Sequence, residues 1–136
     1  MYNTHVVPLD KVHVVWPLIV PFIEVSLKKS DSIFDIDKVC ELVVQGMWKV
    51  VIAVDTNNTI HGAAVVQTIQ TPRDVVGFVT CIGGRLISDK RTFENFKDVL
   101  RKEGITEIQG TVRPSIQRLW KRLGFLDKYT VVGVSI

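Results

Sequence analysis

The chain has 136 residues, 46% of them hydrophobic and 23% charged, with a formal charge of +3. That length is one domain, 1–136, with room for a real core, and the composition lies far from the disordered class. No apolar run approaches the roughly 18 residues of a membrane span, and Lys and Arg are spread along the chain, which favours solvated helix faces over a nucleic-acid surface.

The opening MYNTHVVPLDKVHVVWPLIVPF lacks a basic region ahead of its apolar part and is broken by three prolines, so it reads poorly as a secretory signal. HVV (5–7) is a short strand candidate, and Trp16 to Lys29 carries apolar residues at 19, 22, 23 and 27 with helical period. Pro17 suits a first helical turn; Pro21 must lie within that turn or kink the helix. In SDSIFDIDKVCELVVQG, acidic and hydroxyl residues open a second helix, Ile36, Val39, Leu42 and Val43 form its stripe, and Gly46 stops it.

Three strands follow, WKVVIAVD (48–55), TIHGAAVVQTIQ (59–70) and VVGFVTCIGG (75–84), separated by the turn segments TNN and TPRD. The third is almost wholly apolar, as befits a strand covered on both faces. A helix then starts near SDKRT, with Ser88 or Asp89 as its N-cap, Phe93, Phe96, Val99 and Leu100 on its inner face, and Gly104 at its end. ITEIQGTVR (105–113) alternates like a strand. PSIQRLWKRLG is a helix with Ile116, Leu119, Trp120 and Leu123 at i, i+3, i+4, i+7, and YTVVGVSI reads as a closing strand. The order β-α-α-β-β-β-α-β-α-β makes an α/β fold, a mixed sheet with helices on both faces.

This order, with LWKRLGF (119–125) between the last two strands, resembles the GNAT superfamily of acyl-CoA N-acyltransferases. The helix after the penultimate strand of that family commonly reads L-Y-x-K-x-G-F, and Leu119, Trp120, Arg122, Gly124 and Phe125 occupy those positions here. A narrower likeness, to small GNAT-like proteins of tailed bacteriophages and prophages, rests on WPLIVP (16–21), KKSD (28–31) and CIGG (81–84) in that order. It implies a cytoplasmic setting in the host cell or association with the virion.

The superfamily resemblance also implies acetyl-CoA as cofactor and an amine as acceptor, with the fourth strand parting from the fifth near Cys81. Pantetheine would lie along the backbone of Val79, Thr80, Cys81 and Ile82, and the phosphates along Gly83, Gly84, Arg85, Ser88, Lys90 and Arg91. The residues themselves divide on this. The glycine pair and the cations suit an anion at a helix N-terminus. Asp89 would occupy the same donors as a cap, giving a plain capped helix. Trp120 stands where the family often presents a tyrosine acid, and an indole N–H has no useful acidity. No carboxylate follows Asp74 on the fourth strand. His61 is a candidate base but more ordinarily a structural or surface histidine, and Cys81 a candidate nucleophile but more ordinarily a buried thiol. The catalytic residues are unknown on this reading. The alternative is an inactive protein of the same fold that binds a protein partner or belongs to the virion.

Overall fold

The computed structural model describes residues 2–30, 34–112 and 114–136. Five strands form one sheet in sequence order: β1 (Asn3–Val6), β2 (Lys49–Val54), β3 (Ile60–Gln70), β4 (Val75–Gly84) and β5 (Glu107–Gly110). The first four run antiparallel to their neighbours, while β5 lies parallel to β4, reached by a helical crossover. This is the mixed α/β sheet that the element order predicts.

Alternation along the strands divides the core into two layers. Val50, Ile52, Val54, Ala63, Val65 and Cys81 face Ile19 and Ile23 of α1 (Val12–Ser30) and Val39 and Val43 of α2 (Ile36–Val44). On the opposite face, Val51, Ala53, Ala64, Val66, Val79 and Ile82 meet α3 (Arg85–Ser88), α4 (Lys90–Lys102) and α5 (Pro114–Arg122) through Leu86, Phe93, Phe96, Leu100 and Trp120. Helices thus cover both faces.

The local sequence accounts for α2 and α4. Asp35, in extended backbone, accepts the Lys38 amide at 2.8 Å and so caps α2. On α4, Phe93, Phe96 and Leu100 are buried and Val99 is half-buried, the inner stripe that the spacing predicts.

Three elements depart from expectation. The first helix begins at Val12, so Pro17 and Pro21 both sit inside it. Each removes one helical amide, but both prolines face solvent, where the freed carbonyls of His13 and Pro17 can be hydrated. Leu119 is 37% exposed and outside the core, leaving Trp120 as the buried anchor of α5. The predicted closing strand does not join the sheet: Asp127 to Ile136 carries no ladder. Asp31 of the KKSD segment and Arg113 of the fifth-strand segment lie outside the described residues. Among the described residues no helix is long and apolar enough to cross a membrane.

Candidate functional site

The ladder between β4 and β5 ends at Val79↔Gly110, while β4 continues for five residues to Gly84. The strands therefore part just before Cys81, where the sequence places a wedge. A β-bulge marks the point. Val66 opposes Val79 but Val65 opposes Cys81, so Thr80 is an extra residue on β4. The insertion turns Val79 and Cys81, two positions apart, to opposite faces of the sheet.

Thr80 is buried, and its hydroxyl has no hydrogen-bond partner among the described residues. Cys81 is sealed under α1 and α2, and burial pushes its thiol up to about 12. That removes it as a nucleophile at neutral pH, because the thiolate is the reactive form. Ile82 donates its backbone N–H to the buried Ser26 hydroxyl at 2.9 Å, so α1 satisfies an amide on the stretch of β4 that has no β5 partner.

The glycines have a packing reason of their own. A Cβ on Gly83 would stand 3.0 Å from the Phe22 carbonyl oxygen. One on Gly84 would reach 2.3 Å from the His61 carbonyl oxygen, and Gly84 also has φ +67°. The pair lets β4 pass tightly between α1 and β3 before turning into α3. Its presence is thus explained without a ligand.

The segment after Gly84 decides between the two predicted caps, Ser88 and Asp89, in favour of Asp89. Arg85 to Ser88 already form one helical turn, and Ser88 closes that turn instead of opening α4. Asp89 is the N-cap residue of α4, but its carboxylate accepts from the Thr92 hydroxyl and not from a backbone amide. The first amides of α4 therefore carry no side-chain cap. Lys90 and Arg91 stand exposed beside them in the first turn, and Asp89 keeps one negative charge nearby. The Arg85 guanidinium lies 5.9 Å over the Tyr2 ring, toward β1.

His61 pairs with Asp55. Its Nε2 is 2.8 Å from Asp55 Oδ2, and Asp55 Oδ1 accepts the amides of Asn57 and Thr59, which ties the β2–β3 turn together. The His61 bond, with help from those amides, holds the Asp55 carboxyl below the usual carboxylate range. Trp120 is 7% exposed, 4.7 Å from the Phe125 ring, and packs on Gly110, the last β5 residue paired with β4. It is a packing residue, as its helical spacing predicts.

Two features of this region escape sequence reasoning, the Ser26 contact and the bulge at Thr80. Ser26 falls in register with Ile19 and Ile23 on the buried face of α1, and a hydroxyl there is its one visible sign. Nothing in the sequence marks Thr80 as the bulge.

No family model matches the sequence, and no curated protein is similar to it. Solved structures do share the fold. An aminoglycoside acetyltransferase from an uncultured soil metagenomic sample, in complex with sisomicin, superposes with TM-score 0.69 at 11% identity, covering 99% of this chain and 95% of its own. A predicted acetyltransferase from Clostridium acetobutylicum, crystallised with acetyl-CoA, gives 0.62 at 16% identity, covering 99% and 96%. A possible acetyltransferase from Clostridium difficile 630 gives 0.66 at 8% identity, covering 100% and 98%. The chain shares its fold with these acetyltransferases, and at these identities the likeness speaks for fold alone.

Proposed function

We propose that this protein is a GNAT-superfamily N-acyltransferase with a degenerate site, of phage or prophage origin, that holds acetyl-CoA along the β5-facing edge of β4 beyond Val79. The observation that carries this reading is the end of the parallel ladder at Val79↔Gly110, with β4 running on to Gly84 paired with β3 and without a β5 partner. The phage origin rests on the WPLIVP, KKSD and CIGG segments of the sequence.

The residues fit the cofactor's two ends unequally. Uncapped amides at the start of α4, with Lys90 and Arg91 exposed beside them, suit a pyrophosphate through donor geometry and helix dipole together. Along β4, the Thr80 hydroxyl is without a partner among the described residues, but the Ile82 amide is already engaged by Ser26. Affinity is therefore weak, since the cofactor must compete with a bond the protein makes to itself.

When bound, the cofactor supplies an acyl group activated as a thioester; the chain's own part is to hold it and orient an amine. Neither Trp120 nor Cys81 can move a proton here, and β4 presents no carboxylate. Deprotonation of the amine is left to solvent. A second reading, a binding or virion-associated protein without transfer, is favoured by the Ser26–Ile82 bond and by the buried Trp120.

The test is a pH–rate profile with acetyl-CoA and a panel of amines. The transferase reading predicts slow, saturable turnover that rises about tenfold per pH unit toward the pKa of the amine itself, with no plateau at a protein base. Absence of turnover with every amine, at pH values where the amine is neutral, would select the binding protein.

A further inference from the structure

The helix α1 is apolar almost all round, a composition found in helices that are covered on every side. Its inner residues, Val12, Val15, Trp16, Ile19, Phe22 and Ile23, pack into the core layer that α1 shares with α2. The outer face is bare. Val14, Leu18 and Val25 are 58%, 60% and 49% exposed, and Pro17 and Pro21 stand exposed between them. The steps of four, three and four from 14 to 18, 21 and 25 make one stripe about 17 Å long, the spacing of a seam that packs against another helix.

Charge along one flank of this stripe selects its occupant. Asp10, Pro17 and Glu24 recur there at seven-residue steps, with His13 one turn before Pro17 and Lys28 one turn after Glu24. Asp10, His13, Glu24 and Lys28 are all exposed, and none has a side-chain bond among the described residues. An anionic lipid surface calls for cations around an apolar face, whereas two carboxylates stand on this rim.

We propose that α1 docks on α1 of a second copy of the chain, antiparallel about a two-fold axis centred between residues 19 and 20. In that register Val14 faces Val25 of the other copy and Leu18 faces Pro21. The same register sets Asp10 against Lys28 and His13 against Glu24, each pair occurring twice. A parallel pair would set like charge against like. Lys11, on the opposite flank, has no such counterpart. Bridging water at the interface serves the His13 and Pro17 carbonyls that the prolines set free. One helix pair is smaller than the roughly 1,200–2,000 Å² of a stable interface, so the dimer is reversible.

Light scattering during size-exclusion chromatography of the full chain, over a concentration series, tests the pairing. The expected species at high concentration has twice the 15.3 kDa chain mass. Leu18→Glu charges the centre of the stripe and should run as a monomer with an unchanged far-ultraviolet circular dichroism spectrum. Asp10→Lys and Lys28→Asp, each alone, should weaken the dimer about tenfold. The double swap Asp10→Lys/Lys28→Asp restores the opposed charges and should return dimerisation to the parent level. A parent that stays monomeric up to about 1 mM overturns the proposal, and one that then sediments with phosphatidylserine vesicles marks a lipid face instead. A Leu18→Glu variant that stays dimeric places the interface elsewhere and overturns it too. Loss of the dimer in Leu18→Glu without rescue by the charge swap means that the helices meet in another register, and the antiparallel pairing is wrong.

Discussion

Thr80 is where β4 stops behaving as an inner strand. The bulge there reverses the facing of the residues beyond it, so that Cys81 points under α1 and the next amide, Ile82, is met by Ser26. Ser26→Ala leaves that amide buried without an acceptor and should cost about 1–3 kcal/mol of stability, read as a shift in urea midpoint at constant slope. An unchanged midpoint would mean that the amide is open to water. Trp120 acts on the neighbouring strand, filling the space that a side chain at Gly110 would need. Trp120→Ala should cost roughly 3–5 kcal/mol by the same measurement, whereas Trp120→Phe should lose far less. Trp120 is legible in the sequence because its i+4 partner Ile116 and i+3 partner Leu123 set a helical face. Ser26 is not, since its bond spans 56 positions along the chain. Local periodicity carries no such information.

Among the elements, the β2–β3 hairpin has a pH dependence of definite sign. The Asp55 carboxyl is depressed chiefly by its bond to His61, so the stability it lends is present above the ordinary carboxylate range and is lost as pH falls through the lowered value. Folding stability should therefore decline below about pH 4, and Asp55→Asn should flatten part of that limb in a urea-midpoint series against pH. Identical acid limbs in the two proteins would remove Asp55 as the cause. The helices α2 and α4 are readable because each buries a stripe before a clear stop, Gly46 or Gly104, and the strands of this hairpin because each is a continuous buried apolar run. The start of α1 is obscured by its prolines, which normally mark a first turn and here sit on a solvated face. The short turn α3 hides behind the Ser88-Asp89 pair, a sequence that looks like a cap. The segment 127–136 has strand composition, but a strand also needs a partner, and that depends on tertiary placement.

At the scale of the whole molecule, one sheet covered on both faces brings the end of β4, free of β5 on one edge, beside the start of α4. The sequence pattern predicts the parting of β4 and β5, but its glycines serve close packing of α1 and β3, and a ligand is not needed to explain them. Occupancy of that wedge by the cofactor is therefore the decisive point. Gly84 is unsuitable as a probe, because any side chain there strains the fold. Lys90 and Arg91 are exposed and outside the core. A thermal melt of the parent and of the Lys90→Glu/Arg91→Glu variant, each titrated with acetyl-CoA, measures that occupancy directly. At ligand near 100 times its dissociation constant the parent should gain about 2.7 kcal/mol, seen as a rise in Tm of several degrees that grows with the logarithm of ligand concentration. The variant should match the parent without ligand and respond much less. A parent whose Tm does not move at millimolar acetyl-CoA, or a variant that responds as the parent does, would contradict the assignment of the cofactor to this wedge.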